Sequence, residues 1–241
     1  GLVWLNASTA ADVQGKASFA VLQVTPALDA GGVERTTIEV AEAVTRAGGR
    51  ALVASRGGRL ESELAAVGGE LFPLPMDTKN PIEMYANIGR LMDIARRNDV
   101  QIIHARSRAP AWSAMIAAHR LRIPFVTTYH GVYNAKSPLK RWYNSVMAKG
   151  DLVIANSDFT RAHVMREHKI MPGKVIAIPR GVDLARFNPA AVDPSRVATM
   201  RQLWGLAPMD TRPVVLLPAR LTYWKGQTVL IDAAAQIEPR V

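Results

Sequence analysis

Two cations near the end of the 241-residue chain, Arg220 and Lys225, have the spacing and surroundings of a phosphate-binding loop. The apolar run 214–217 precedes them and predicts a buried parallel strand, and a helix with an apolar stripe is predicted after Gly226. In an open α/β sheet, ligands bind beyond the carboxyl ends of the strands, where the next helix presents free N–H groups. Two fixed positive charges at that place suit a diphosphate, although a solvated basic loop explains the same residues equally well.

A second candidate site follows the first predicted strand, at Gly31 and Gly32. Two residues without a Cβ atom, directly before a predicted helix, let a ligand approach the backbone while N–H groups point at an anion. An ordinary tight turn, with Glu34 balancing the helix dipole, is the alternative. The sequence contains no Gly-x-Gly-x-x-Gly pattern, which argues against a dinucleotide-dependent dehydrogenase.

Three more polar residues, Arg106, His130 and Ser157, each follow a predicted strand. Because the carboxyl ends of parallel strands meet at one edge of a sheet, these loops are expected to line one cleft with the glycine pair. A histidine there could hydrogen-bond a hydroxyl group or a developing charge at neutral pH, whereas a lone histidine is more often structural.

The elements that position these residues alternate between strand and helix patterns, without internal repeats. Strands are predicted at 19–24, 50–54, 70–74, 100–104, 124–129, 151–155 and 175–178, with helices between most of them. The helix that contains Pro81 in its first turn is predicted to bury a stripe formed by Ile82, Tyr85, Ile88, Met92 and Ala95. Repeated βα units predict an α/β fold with a doubly wound parallel sheet.

Several short motifs resemble those of retaining glycosyltransferase family 4. The stretch from Ala219 to Ala233 is similar to that family's Arg-Leu…Lys-Gly…Leu-Ile-x-Ala signature. Other matches follow the family's order: Gly-Gly-x-Glu-Arg at 31–35, His-Gly at 130–131, Asn-Ser at 156–157 and Ile-Pro-x-Gly-Val-Asp at 178–183. Together the matches run from residue 21 to residue 235. Arg180 replaces the Asn that is usual in the last motif, so no family role carries over to it.

The resemblance implies a GT-B fold of two Rossmann-like domains and assigns roles to the candidate residues. It implies that Arg220 and Lys225 contact the donor diphosphate and that His130, as the catalytic residue, touches the transferred sugar. The expected substrate- or donor-binding residues are Gly31, Gly32, Glu34, Arg106, Ser157, Arg220 and Lys225. No metal is expected, since the sequence has no Asp-x-Asp motif, and no cofactor besides the nucleotide-diphosphate sugar as substrate.

The domain organisation expected from this resemblance has four parts. Residues 1–18 would be a tail, with a targeting-segment stub as the alternative, and 19–179 an N-terminal, acceptor-side Rossmann-like domain. Residues 180–212, rich in Pro and Arg, would cross to a donor-binding domain, of which 213–241 supplies only the first strand and helix. The resemblance also implies a later pair of glutamates beyond Val241. We therefore expect this chain to be a fragment that is inactive alone.

The expected function is retaining transfer of a sugar from a nucleotide-diphosphate sugar to a glycan or lipid-linked acceptor in cell-envelope polysaccharide or glycolipid synthesis. A sugar-nucleotide epimerase of the same fold is one alternative, but it would need acid/base carboxylates in the cleft and no convincing pair is evident. A non-catalytic module that binds a nucleotide or sugar is the other.

The formal net charge of +10 suits nucleotide phosphates, anionic lipids or nucleic acid. No aromatic-rich RNA motif or zinc-finger spacing supports nucleic acid. The absence of cysteine agrees with a reducing compartment, and the expected location is cytoplasmic, with a peripheral position on the inner face of the membrane as a further option.

The segment 136–149 could provide that membrane contact. Its basic residues include Lys136, Lys140 and Arg141, and its predicted apolar stripe consists of Leu139, Trp142, Tyr143, Val146 and Met147. An apolar face with aromatic members and a cationic rim is typical of an interfacial helix. A helix that packs this stripe on its own domain is the alternative.

Overall fold

The computed structural model describes residues 19–133, 137–184 and 187–237, so the predicted tail lies outside the described residues. The chain divides into two units, the first ending at Arg180 and the second beginning at Gly181. Within this division, the predicted limits of the crossing and of the donor-binding domain remain predictions.

The first unit contains a seven-stranded parallel sheet in the order β3-β2-β1-β4-β5-β6-β7. Its strands are β1 (Ala20–Val24), β2 (Arg50–Ser55), β3 (Gly69–Pro73), β4 (Val100–Ala105), β5 (Phe125–Tyr129), β6 (Leu152–Ala155) and β7 (Val175–Ala177). Its helices are α1 (Gly32–Arg46), α2 (Glu61–Ala66), α3 (Pro81–Arg97), α4 (Arg108–Leu121), α5 (Pro138–Ser145) and α6 (Asp158–His168).

Helices cover both faces of this sheet. On one face, Leu22 of β1 packs in a large cluster with residues of α3 and α4, including Leu91. On the other face, Val53 of β2 packs with Ile38 of α1 and Leu64 of α2. Buried strands with apolar side chains on both faces require this double covering. The α/β class and the doubly wound parallel sheet predicted from the sequence are confirmed.

The order of the strands places a switch point between β1 and β4. From β1, the sheet continues through β2 and β3 on one side and through β4 to β7 on the other. The loops that leave β1 and β4 therefore diverge to opposite faces and open a crevice at the carboxyl edge. Gly31 and Gly32 follow β1, and Arg106 follows β4, so the predicted ligand edge lies at this crevice.

The stripe predicted on α3 is only partly buried, which corrects the sequence analysis. Ile88 and Ala95 lie in the core, whereas Ile82 and Tyr85 are 78% and 68% exposed. Helical periodicity places Asn87 and Leu91 in the core as well. The first turns of α3 instead border an open groove beside α4 and α5.

The stripe predicted over 139–147 is also divided. α5 ends at Ser145, and a 3₁₀ turn at Val146–Ala148 directs Val146 and Met147 into the core. Leu139 and Trp142 remain 73% and 57% exposed. The change of helix type directs the two halves of the stripe to different sides. Packing against the core therefore accounts for Val146 and Met147 but not for Leu139 and Trp142.

The second unit contains α7 (Pro194–Leu203) and α8 (Gln227–Ala234). α7 lies within the predicted crossing, where no helix was expected, and the Asp193 side chain caps it by accepting from the Ser195 N–H at 2.8 Å. α8 agrees with the helix predicted after Gly226.

The strand predicted at 214–217 is not formed, which corrects the sequence analysis. These residues belong to no strand, and their side chains are 39–69% exposed. A strand requires a hydrogen-bonding neighbour, and in the described part of the chain no other strand pairs with this run. The apolar pattern alone therefore does not produce the strand.

Candidate active site

The glycine pair lies at the start of α1, where each glycine makes room for a different side chain. Gly31 has a φ of +156°, and a Cβ atom there would lie 2.5 Å from Oε2 of Glu34. Glu34 therefore folds back over the first turn of α1, where a negative charge is favourable. A Cβ atom on Gly32 would collide with the guanidinium group of Arg180. The second glycine thus makes a close approach by Arg180 possible.

His130 lies at the carboxyl end of β5 and is fixed from two sides. Its backbone carbonyl accepts a hydrogen bond from Nδ2 of Asn156 at 3.1 Å, which ties the ends of β5 and β6 together. Its ring Nδ1 lies 2.6 Å from Nη2 of Arg180. A guanidinium group can only donate, so Nδ1 must accept and the ring proton resides on Nε2.

The surroundings of His130 keep it neutral. Burial lowers its pKa to about 3, with further contributions from the positive charges of Arg106 and Arg180. At neutral pH the ring is therefore a hydrogen-bond donor through Nε2, which is buried and has no partner among the described residues. Such a group suits a hydrogen bond to a substrate oxygen better than proton abstraction.

Arg106 is the second unusual group at this edge, since only 1% of its surface is exposed. Its Nε donates to Oε1 of Gln23 at 2.8 Å, and Gln23 in turn donates to the carbonyl of Thr37 at 3.0 Å. Burial lowers the pKa of Arg106 to about 9, assisted by Arg180 and opposed by Glu39. Its Nη2 has no hydrogen-bond partner within the described ranges. A buried guanidinium without a carboxylate partner is costly, and a bound anion would offset that cost.

Ser157 caps α6. Its Oγ accepts from the Thr160 N–H at 3.1 Å and lies 3.0 Å from Oγ1 of Thr160. Because the hydroxyl group is already engaged in these bonds, a substrate would have to compete with them. The predicted contact between Ser157 and a substrate stays a prediction.

Arg220 and Lys225 lie in the second unit, on the loop before α8, and both are exposed. The Arg220 carbonyl accepts from Nε2 of Gln227 at 2.8 Å, which links the loop to the first turn of the helix. Lys225 ends a 3₁₀ turn, after which Gly226 adopts a left-handed φ of +78°. The loop brings the two cations of the signature to the start of one helix.

Two residues of the first unit were not assigned to the site from the sequence. Gln23 orients Arg106, and a polar residue inside an otherwise apolar strand was the available signal. Arg180 was noted only as a departure from the usual Asn, and no local pattern reports a contact with a histidine 50 residues away. Within the described ranges, no three His, Asp or Glu side chains gather as a metal site.

His104 is a buried histidine near the carboxyl end of β4. Its Nε2 lies 2.7 Å from Oγ1 of Thr128, and the residue is buried. Burial holds its pKa well below the usual 6.5, with smaller contributions from Arg106 and His130.

We expect this buried histidine to make the fold sensitive to acid. Below about pH 6.5, the unfolded chain binds a proton at His104 more readily than the native state does, so the free energy of unfolding falls as pH falls. One such proton changes it by about 1.4 kcal/mol per pH unit. Urea unfolding between pH 7.5 and 5.5 should therefore show a shallower pH dependence for His104→Gln than for the wild type. Parallel curves for the two proteins would contradict this role.

The doubly wound parallel sheet of the first unit has the Rossmann-like fold of GT-B glycosyltransferases, and His130 and the glycine loop lie at its carboxyl edge. The family described as Glycosyltransferase Family 4 matches residues 30–186, which is more than half of the chain. The chain belongs to glycosyltransferase family 4.

Individual relatives agree with this assignment. A D-inositol 3-phosphate glycosyltransferase from Salinispora arenicola is 30% identical over 58% of this chain and 34% of its own length. The crystal structure of a glycosyltransferase from Rickettsia africae is 37% identical, with a TM-score of 0.79 over 93% of this chain and 59% of that one. Anabaena HepE in complex with UDP-glucose shares the fold, at 23% identity and a TM-score of 0.71 over 92% of this chain and 58% of its own. The chain spans about a third of the length of the curated relatives it matches.

Proposed function

We propose that the whole protein is a retaining glycosyltransferase that moves a sugar from a nucleotide-diphosphate sugar to a glycan or lipid-linked acceptor of the cell envelope. The observation that carries the proposal is the state of His130, which is a neutral hydrogen-bond donor through Nε2. The residue lies beside two arginines at the carboxyl edge of the sheet in a family 4 domain. Family membership favours glycosyl transfer over the epimerase alternative. The UDP-glucose complex of a protein with the same fold makes UDP-sugars the first donors to test.

Each group of candidate residues would have its own task in this reaction. The Nε2–H of His130 would donate to an oxygen of the transferred sugar and hold the ring in place. Arg220 and Lys225 would stabilise the charge that develops on the leaving diphosphate. In a front-face displacement, that diphosphate also helps to deprotonate the acceptor hydroxyl, so no carboxylate base is required of the first unit.

The test of this function is the stereochemistry of transfer. Full-length enzyme would be incubated with a panel of nucleotide sugars and a lipid extract as the source of acceptor, and the product examined by proton NMR. We expect the anomeric configuration of the donor to be retained in the glycoside. An inverted product would contradict the proposal.

We also propose that the first unit contacts a membrane surface through α5 and the groove beside it. The groove has a volume of about 360 Å³ and is mainly apolar, with Tyr85, Trp112 and Trp142 among its lining residues. The two indole rings stack with their centroids 4.7 Å apart, and Nζ of Lys149 lies 5.3 Å from the Trp112 ring. An exposed apolar surface with a cationic rim supports contact with anionic lipid. None of the helices in the described ranges is long and apolar enough to cross a bilayer.

Removing the basic residues of this segment should weaken vesicle binding at low salt. Lys140 and Arg141 are exposed on α5, and Lys136 lies outside the described residues. Each basic residue near an anionic surface contributes on the order of 1 kcal/mol, so changing all three to Gln should reduce partitioning by roughly a hundredfold. Flotation with anionic liposomes at low salt measures this change in partitioning.

A matched control changes three basic residues at the opposite edge of the sheet. Arg46, Arg96 and Arg97 lie in the last turns of α1 and α3, and replacing them by Gln should leave much more of the binding intact. If the wild-type full-length protein does not float with anionic liposomes at low salt, the membrane proposal is wrong.

A further inference from the structure

Three polar atoms without partners lie at the ends of three strands in the sheet. Oγ1 of Thr25 follows β1, Nη2 of Arg106 follows β4, and Nε2 of His130 follows β5. Each atom is buried and makes no hydrogen bond within the described ranges. The backbone N–H of Arg106 donates to the Val24 carbonyl at 3.1 Å, so Thr25 and Arg106 are neighbours across β1 and β4. Because the Arg106 and His130 nitrogens among these three unpaired groups can only donate, an acceptor of hydrogen bonds at this edge would satisfy them.

The charges at this edge are also unbalanced. The positive charge of Arg180 helps to lower the pKa of Arg106, and both charges help to lower the pKa of His130. Neither arginine forms an ion pair with a carboxylate among the described residues. Glu39 attracts Arg106 only through space, and Glu34 turns towards Gly31. Two guanidinium groups in such a place prefer a bidentate oxyanion as a ligand.

We propose that Arg106 and Arg180 bind an anionic group, a phosphate or carboxylate, that the acceptor carries next to the hydroxyl to be glycosylated. This inference rests on the proposed function and narrows its acceptor to an anionic one. The family resemblance assigns the donor diphosphate to a different pair of cations, Arg220 and Lys225, and with that assignment the arginines of the first unit would take a second anion.

Arg180 is suited to this task because its contact with His130 uses only part of its donor capacity. A guanidinium group has five N–H donors, and the bond from Nη2 to Nδ1 of His130 occupies one. The others remain for a ligand, and the contact with Gly32 places the group beside the first turn of α1, whose N–H groups have no side-chain cap. A ligand anion on Arg180 would thus lie close to His130, which is proposed to donate to the transferred sugar.

The experiment distinguishes the binding of this anion from the binding of the donor's phosphates. Full-length enzyme saturated with UDP would be titrated with methyl phosphate, followed by isothermal calorimetry, with methanol as the neutral match. We expect methyl phosphate to bind in the presence of UDP and methanol not to bind. Arg180→Asn, which restores the residue usual in the family, and Arg106→Gln should each weaken binding about ten- to a hundredfold. Arg96→Gln, an exposed arginine at the opposite edge, should not change it.

Two results would overturn the inference. If UDP displaces methyl phosphate, the anion site belongs to the donor. If methyl phosphate does not bind the wild type, or binds Arg180→Asn with unchanged affinity, the arginines are not its ligands. Arg180 is exposed, so its variant should fold even if Arg106→Gln does not. UDP binding and sugar transfer are measured on the same wild-type sample, so failure of the anion site is distinguishable from failure of the proposed function.

Discussion

Alanine at Arg220 or at Lys225 is expected to remove most of the turnover of the full-length enzyme. Both side chains are exposed on the loop before α8, and each would make a charge-assisted contact with the donor diphosphate. One such contact to a charged group contributes roughly 1.5–3 kcal/mol, so kcat/KM should fall about ten- to a hundredfold for each variant. The loss should appear in kcat as well as in KM, because the leaving group gains negative charge in the transition state.

A control for general charge effects is available in the same unit. Arg212 is exposed and forms an ion pair with Asp210 at 2.6 Å, outside the signature loop. Arg212→Ala should leave kcat/KM close to the wild-type value. Near-normal rates in both Arg220→Ala and Lys225→Ala would remove these two residues from the site.

His130→Ala should have an effect of similar size, a loss of about a hundredfold in kcat. The variant removes a preorganised Nε2–H donor and leaves Arg180 without its acceptor on Nδ1. His130→Gln can place an amide N–H near the position of Nε2, so it should retain more activity than the alanine variant. Steady-state kinetics at saturating donor distinguishes the two.

The pH dependence provides a second readout for this residue. Burial and two neighbouring arginines hold the pKa of His130 at about 3, so the free enzyme should show no loss of kcat/KM from its titration between pH 6 and 8. A limb of the pH profile near pH 6.5 that disappears in His130→Gln would show that the ring titrates during catalysis, and a permanently neutral hydrogen-bond donor would then be the wrong role for it.

Most of the fold could be predicted from the sequence because its strands are buried on both faces. Runs such as 20–24 are continuously apolar apart from Gln23, and the observed strand ends differ from the predicted ones by only one residue. The run 214–217 is also apolar, but within the described ranges it has no neighbouring strand, so composition was insufficient there. α7 escaped prediction although Asp193 and Pro194 form an ordinary helix start.

The candidate site was predictable where it depends on topology. Gly32, Arg106 and His130 follow strand ends, and the observed strand order brings these ends to one edge. The contact between Arg180 and His130 was not predictable, because it joins residues 50 positions apart through the space left by a glycine. The neutral state of His130 depends on that contact and on burial, neither of which a linear motif reports.

The most direct test of the site is a crystal structure of the full-length protein with an intact nucleotide-sugar donor. We predict that the transferred sugar lies within hydrogen-bonding distance of Nε2 of His130 and that the diphosphate contacts Arg220 and Lys225. A donor bound away from the carboxyl edge of the first sheet, with His130 making no contact to the sugar, would contradict this assignment of the site.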